Sequence, residues 1–139
     1  MISGEKMIEK DLIKIAKEQM KNSYSPYSKF SVGAALLCKD GKIFTGCNIE
    51  NSSFSATICA ERVAFSKAVS EGEKEFEKIA IVGGEKGVIE NYCYPCGICR
   101  QFMSEFCEEN FELIFINKDE KIESLYLKNL LPKSFKLER

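Results

Sequence analysis

The stretch FSVGAALLCKDGKIFTGC, running from Phe30 to Cys47, decides how the chain is read. Phe30 to Leu37 is an almost unbroken apolar run, the pattern of a strand buried on both faces. Asp40-Gly41 is a hairpin turn pair, so Ile43 to Cys47 returns antiparallel to the first strand. Upstream, Ile8, Leu12, Ile15 and Ala16 fall at helical spacing among lysines and glutamates, which predicts an amphipathic helix from about Glu5 to Lys21. Ser23-Tyr24-Ser25-Pro26 ends it. Downstream, Ala60, Val63, Ala64 and Ala68 give Cys59 to Val69 a helical period, closed by Gly72. Lys78 to Val82 is a short strand ending in Gly83-Gly84. Gly97 to Cys107 is a second helix, with Ile98, Phe102 and Phe106 on one face. Glu112 to Ile116 is another strand, and Ile122 with the segment Ser124 to Leu131 supplies a short strand and a short helix before Pro132. The order is α-β-β-α-β-α-β-β-α. Two late β-α-β units imply parallel strands with right-handed crossovers. The expected fold is α/β: one domain over residues 1–139, an α-β-α sandwich on a five-stranded mixed sheet.

Composition narrows the chemistry. A chain of 139 residues can bury a core without cross-links. Its 20 basic and 21 acidic side chains leave no basic excess, which argues against duplex nucleic acid as a partner. No apolar run reaches bilayer length, so no membrane partner is expected. The opening Met1-Ile2-Ser3-Gly4-Glu5-Lys6 lacks the apolar stretch of a signal peptide, and the expected compartment is cytoplasmic. Thiols there stay reduced. Seven cysteines, an odd number, therefore favour metal binding over a disulfide framework. Histidine is absent altogether. That excludes Ser-His-Asp triads, Cys-His dyads and histidine-ligated zinc. Thiolates or carboxylates must hold any metal, and Glu, Asp, Lys, Tyr or Cys must carry any proton.

Two elements concentrate the thiols: Cys59-Ala60-Glu61 and Pro95-Cys96-Gly97-Ile98-Cys99, each at a junction leading into a helix. A C-x-x-C turn places two thiolates on one side of a helix start, a bite suited to tetrahedral zinc. A third thiolate from another helix start completes a three-ligand site with an open fourth position for water. Three thiolates around Zn²⁺ sum to −1, and an anionic site acidifies water less than a neutral one. Two helix N-termini supply compensating partial positive charge. Arg62 can donate hydrogen bonds to a thiolate, and Arg100 is a second candidate. Glu61, two residues after a ligand, lies beside the metal and can take a proton from water and return it to a leaving group. Cys93 offers a competing arrangement, a fourth thiolate that would close the site as structural zinc. Cys38, Cys47 and Cys107 lie in apolar contexts and read as buried small hydrophobes.

The ordered segments SPYSKFSVGAAL (Ser25–Leu36), GCNIEN (Gly46–Asn51), CAER (Cys59–Arg62), PCGICRQ (Pro95–Gln101) and LLP (Leu130–Pro132) with Phe135 resemble the small, homotetrameric, three-cysteine cytidine deaminases over nearly the whole chain. The resemblance implies one zinc per subunit on Cys59, Cys96 and Cys99, with Glu61 as the catalytic acid/base and Arg62 behind the thiolates. It implies that Phe30 packs against the pyrimidine and that Asn48 and Glu50 hydrogen-bond the ribose. The backbone of Ala60 would contact the base, and Phe135 would cover a neighbouring subunit's site. Read without the family, Asn48 and Glu50 are equally a solvated turn, and Phe135 an ordinary packing residue. The implied reaction converts cytidine or deoxycytidine to the uracil nucleoside and ammonia, as in pyrimidine salvage, in a homotetramer with a small nucleoside as its partner. The chain departs from the family at three positions. Phe54 stands where tyrosine is frequent, Tyr94 where a small residue precedes Pro95, and Ile98 where a small residue lies inside the C-x-x-C.

Deaminases of blasticidin S are a neighbouring possibility, but they tend to lack the Asn-x-Glu pair and the arginine after the catalytic glutamate. Editing of polynucleotides is disfavoured by near-neutral charge and by the lack of tryptophan. A zinc module without catalysis would leave Glu61 dispensable.

Overall fold

The computed structural model describes residues 4–138, with side chains from residue 8 onward; residues 1–3, read above for a leader, lie outside the described residues. The opening helix α1 spans Gly4–Gln19 and tightens into a 3₁₀ turn over Met20–Asn22 before Ser23 turns out of it. The hairpin follows as read: β1 is Phe30–Cys38 and β2 is Ile43–Cys47, paired antiparallel from Gly33↔Cys47 to Leu37↔Ile43. Then come α2 (Ala60–Ser70), β3 (Phe76–Glu85), α3 (Gly97–Phe106), β4 (Glu112–Ile116), β5 (Ile122–Tyr126) and the single turn α4 (Leu127–Leu130).

The five strands lie in the order β2-β1-β3-β4-β5. Only β3 and β4 are parallel neighbours; β1 sits antiparallel between β2 and β3, and β5 closes the other edge antiparallel to β4. The crossover through α2 therefore spans β1, joining two parallel strands that do not touch. Alternation along β1 explains its unbroken apolar run. Ala34, Leu36 and Cys38 join the core under α2 and α3, while Ala35 and Leu37 join the core under α1. Strand β3 runs through Gly83 and Gly84 instead of stopping before them, because β1 pairs with it as far as Phe30↔Glu85.

Two glycines set how closely the helices approach. A Cβ on Gly33 would stand 1.9 Å from the Ala16 carbonyl oxygen of α1. One on Gly46 would stand 2.3 Å from the Ala60 carbonyl oxygen at the start of α2. Helices α2 and α3 both begin at the sheet end where β2 and β3 finish, the end at which open α/β sheets bind ligands. No helix among the described residues is long and apolar enough to cross a membrane.

Candidate metal centre

Three of the seven cysteines sit at helix starts. Cys59 is the extended residue before α2, delivered there by mutual backbone hydrogen bonds between Ile49 and Ile58 at 2.9 and 3.0 Å. Cys96 holds the same position before α3, and its Sγ accepts the Cys99 N–H at 3.5 Å. The C-x-x-C turn is thus a helix cap with sulfur in place of oxygen, meeting one of the donors that every helix start leaves open. Cys99, one turn in, is fully buried, whereas Cys96 is exposed.

The sulfurs of Cys59, Cys96 and Cys99 all lie within 4.8 Å of one another. Cys59 and Cys96 are 3.8 Å apart. Two corners of a tetrahedron with Zn–S bonds of about 2.3 Å stand about 3.8 Å apart, so the spacing fits zinc. The protonation pattern also fits. A hydrogen bond from the Cys99 thiol, then those from Arg62 and Cys96, hold Cys59 down at about 5 despite burial. The same Cys59–Cys99 hydrogen bond, with burial, pushes Cys99 up. One sulfur of that pair carries the charge and its partner keeps the proton. A divalent cation would remove that restriction, because a coordinating thiol gives up its proton.

Glu61 is one of few charged side chains in the interior, 4 % exposed. Burial pushes its carboxyl up to about 7, and the charge on Cys59 acts in the same direction. Arg62 lies along the thiolates as the sequence suggests: Nη2 is 3.7 Å from Cys59 Sγ and 3.5 Å from the Thr57 carbonyl. Its Nε is buried without a partner. Arg100 is a correction. Its Nε and Nη1 donate at 2.8 Å to the carbonyls of Pro95 and Leu130, so it ties α3 to the preceding turn and to α4 and is not a thiolate donor. Cys93 does not close the cluster. Its sulfur faces Gly83, 2.8 Å from where a Cβ there would be, and burial first, then the charges of Glu61 and Cys59, pushes its thiol up to about 12.

That glycine joins the metal end to the candidate base-binding wall. A Cβ on Gly83 would also meet Phe30 Cε1 at 3.0 Å and Val32 at 3.1 Å, so Phe30 and Cys93 converge on Gly83, and Cys93 in turn feels the charge of Glu61. In sequence Gly83 reads only as a strand end, but a glycine inside a strand marks a close approach. Ala60 is fully buried at the start of α2. Asn48 and Glu50 are not a loose turn. Asn48 Oδ1 accepts the Val32 N–H at 2.9 Å and the Ser23 hydroxyl, while Nδ2 donates to the Phe30 carbonyl at 2.8 Å. The Glu50 carboxylate accepts the N–H groups of Tyr27 and Ser28, at 3.0 and 3.1 Å, and the Ser28 hydroxyl. These bonds, led by the Ser28 hydroxyl, hold its carboxyl below the usual range. Both side chains brace the entry to β1, leaving one amide hydrogen on Asn48 and part of the carboxylate on Glu50 for a ligand. Phe54 and Ile98 point outward, 80 % and 66 % exposed. Phe135 is also exposed, and its carbonyl accepts from Gln101 at 3.3 Å.

The family model described as "Cytidine and deoxycytidylate deaminase zinc-binding region" matches residues 7–114. A cytidine deaminase of Sporosarcina psychrophila is 47% identical over 91% of this chain and 90% of its own. A blasticidin-S deaminase of Bacillus cereus is more distant, 32% identical over 88% of each chain. Among solved structures, the cytidine deaminase of Burkholderia pseudomallei superposes with a TM-score of 0.82 at 40% identity, covering 91% of this chain and 98% of that one.

Proposed function

Because the chain belongs to the cytidine and deoxycytidylate deaminase family, and with it to the hydrolases of carbon–nitrogen bonds, we propose that it deaminates cytidine and deoxycytidine with one zinc ion per subunit. The observation that carries the reading is the cluster of three cysteine sulfurs within 4.8 Å beside one buried glutamate. Cys59, Cys96 and Cys99 would hold the ion. When bound, zinc supplies Lewis acidity, which makes hydroxide available at neutral pH.

The chain's own residues do the rest. Glu61 takes the proton from water and passes it to N3 of the cytosine as oxygen adds to C4. It then takes the second proton of that water from the hydroxyl added at C4 and delivers it to the amino group, which leaves as ammonia, so cytosine plus water gives uracil plus ammonia. A carboxyl raised by burial suits both directions of transfer near neutral pH. Arg62 and the starts of α2 and α3 offset the thiolate charge. Phe30, over the space that Gly83 leaves, would pack on the pyrimidine, with the Ala60 backbone on its edge. The free amide hydrogen of Asn48 and the Glu50 carboxylate would bind ribose hydroxyls. In a homotetramer, Phe135 of one subunit would cover the site of another, which suits its 67 % exposure. Such an enzyme would act in pyrimidine salvage in the cytoplasm.

The test is ammonia release from cytidine, deoxycytidine and blasticidin S by the zinc-loaded protein. Turnover of both nucleosides is expected. Glu61→Gln should retain zinc and fold while losing about 10²- to 10⁴-fold in kcat. Turnover of blasticidin S alone would overturn the substrate reading, and full activity in Glu61→Gln would remove Glu61 as proton carrier. Light scattering at the mass of a single chain would overturn the tetramer.

A further inference from the structure

Of the three sulfurs, Cys96 has the least around it. Cys59 is held by the Ile49–Ile58 bridge, with α2 pressed on Gly46, and Cys99 is fully buried in α3. Cys96 is exposed, at the end of residues 86–96, which form neither helix nor strand. The bonds of this stretch run forward into α3, the helix that Cys96 itself begins: the Pro95 carbonyl accepts from Arg100 Nε, the Cys96 carbonyl from the Arg100 N–H at 3.0 Å and the Cys96 sulfur from the Cys99 N–H. Just ahead of it, Tyr94 reaches the sheet. Its ring packs edge-on against Phe115 of β4 with centroids 4.9 Å apart, and its hydroxyl donates to Glu123 Oε1 of β5 at 2.5 Å. Phe115 and Glu123 are cross-strand partners in the β4–β5 register. One side chain thus straddles one rung of the sheet, ring on one strand and hydroxyl on the other. A phenol bonded to a carboxylate is a charge-assisted bond, among the stronger kinds.

We infer that Tyr94 is a positioning residue that pins the turn carrying Cys96 to the β4–β5 rung, so that retention of the metal depends on the Tyr94–Glu123 strut. The inference rests on the zinc reading above. It concerns how fast the site lets go of zinc, because a ligand on an unpinned turn can swing away while the other two stay in place. The ring keeps its packing on Phe115 in Tyr94→Phe, so that variant removes the hydroxyl bond and leaves the fold intact.

The experiment follows zinc transfer from the loaded full-length protein to excess 4-(2-pyridylazo)resorcinol at 25 °C. Tyr94→Phe and Glu123→Ala should each release zinc about two- to tenfold faster than the parent, the range expected for one lost hydrogen bond. The double variant should release no faster than either single one. Ile13→Val, a loss of packing in the separate core under α1, serves as a control whose melting temperature falls while its release rate stays at the parent value. Parent-like release in Tyr94→Phe would overturn the strut, as would additive effects in the double variant or equally fast release in the control. A parent protein that takes up no zinc would instead overturn the metal site itself.

Discussion

Among the described residues, two groups of potential ligand atoms lie within 4.8 Å of one another: Cys59, Cys96 and Cys99 at one end of the sheet, and Cys38, Asp40 and Glu73 at the other. Strand β1 runs between the two ends, from Phe30 to Cys38, roughly 26 Å at the rise of a strand. The groups look alike as lists of donors and differ in how charge is met. At the far end a cation is already covalently supplied. Lys42 Nζ lies 3.4 Å from Glu73 and 4.0 Å from Asp40. Cys38 is fully buried, and burial, followed by Glu73 and Asp40, pushes its thiol up to about 11. At the near end Cys59 is held at about 5 and the sulfurs face two helix starts and an arginine. Proximity of ligand atoms is common to both ends; what differs is that one end holds a thiol poised to ionise and the other a lysine already seated on its carboxylates.

Four measurements bear on this difference. The largest effect belongs to the ligands. Cys99→Ala should bring bound zinc, read by elemental analysis, to background, whereas Cys38→Ala should keep a full complement; loss of zinc from the latter would dissolve the distinction. Next is thiol chemistry in the zinc-stripped protein. Iodoacetamide should label Cys59 at pH 7 at least about 100-fold faster than Cys38, because the thiolate is the nucleophile. Peptide mass spectrometry would read both, with the Cys59 rate falling only below pH 5 and the Cys38 rate rising toward pH 11.

The third measurement is alkaline stability. The folded state raises the pKa of Cys38 from 9.0 to about 11, so it binds that proton more tightly than the unfolded chain does. Its contribution is therefore full below pH 9 and is lost as pH rises from 9 to 11. Urea titrations should show a flatter alkaline limb in Cys38→Ala; an unchanged limb would mean that the thiol is not titrating there. The smallest effect is that of Lys42→Gln, a barely resolved loss of stability by the same titration, since its ammonium is well exposed and screened by solvent; a large loss would mean that the lysine holds the carboxylates together.

Much of this could be read from the chain because the deciding patterns are local. The Phe30–Leu37 run, the Asp40-Gly41 turn and the strands Ile43–Cys47 and Glu112–Ile116 each carry their period within a few residues. The clustering of Cys59, Cys96 and Cys99 was readable for the same reason, since a helix start and a C-x-x-C turn are neighbours in sequence. What escaped depends on partners far along the chain. Strand β3 extends through Gly84 because β1 lies beside it, more than fifty residues earlier in sequence. Arg100 turns to Pro95 and Leu130, a choice set by where α4 packs. Asn48 and Glu50 spend most of their bonding capacity on the start of β1, which no spacing rule reveals.

Gly46 has a consequence for how the site can vary. Because the first carbonyl of α2 rests where a Cβ would be, Cys59 and Glu61 ride on one lever whose fulcrum is the bare backbone of β2. Any side chain at position 46 would tip that lever, carrying the sulfur and the carboxyl together and leaving the distance between them nearly constant. The misalignment would fall on the gap to Cys96 and Cys99, which belong to a different helix. In machinists' terms Gly46 is a shim of zero thickness: it sets the clearance between two halves of a jaw, and the only adjustment available is to open it.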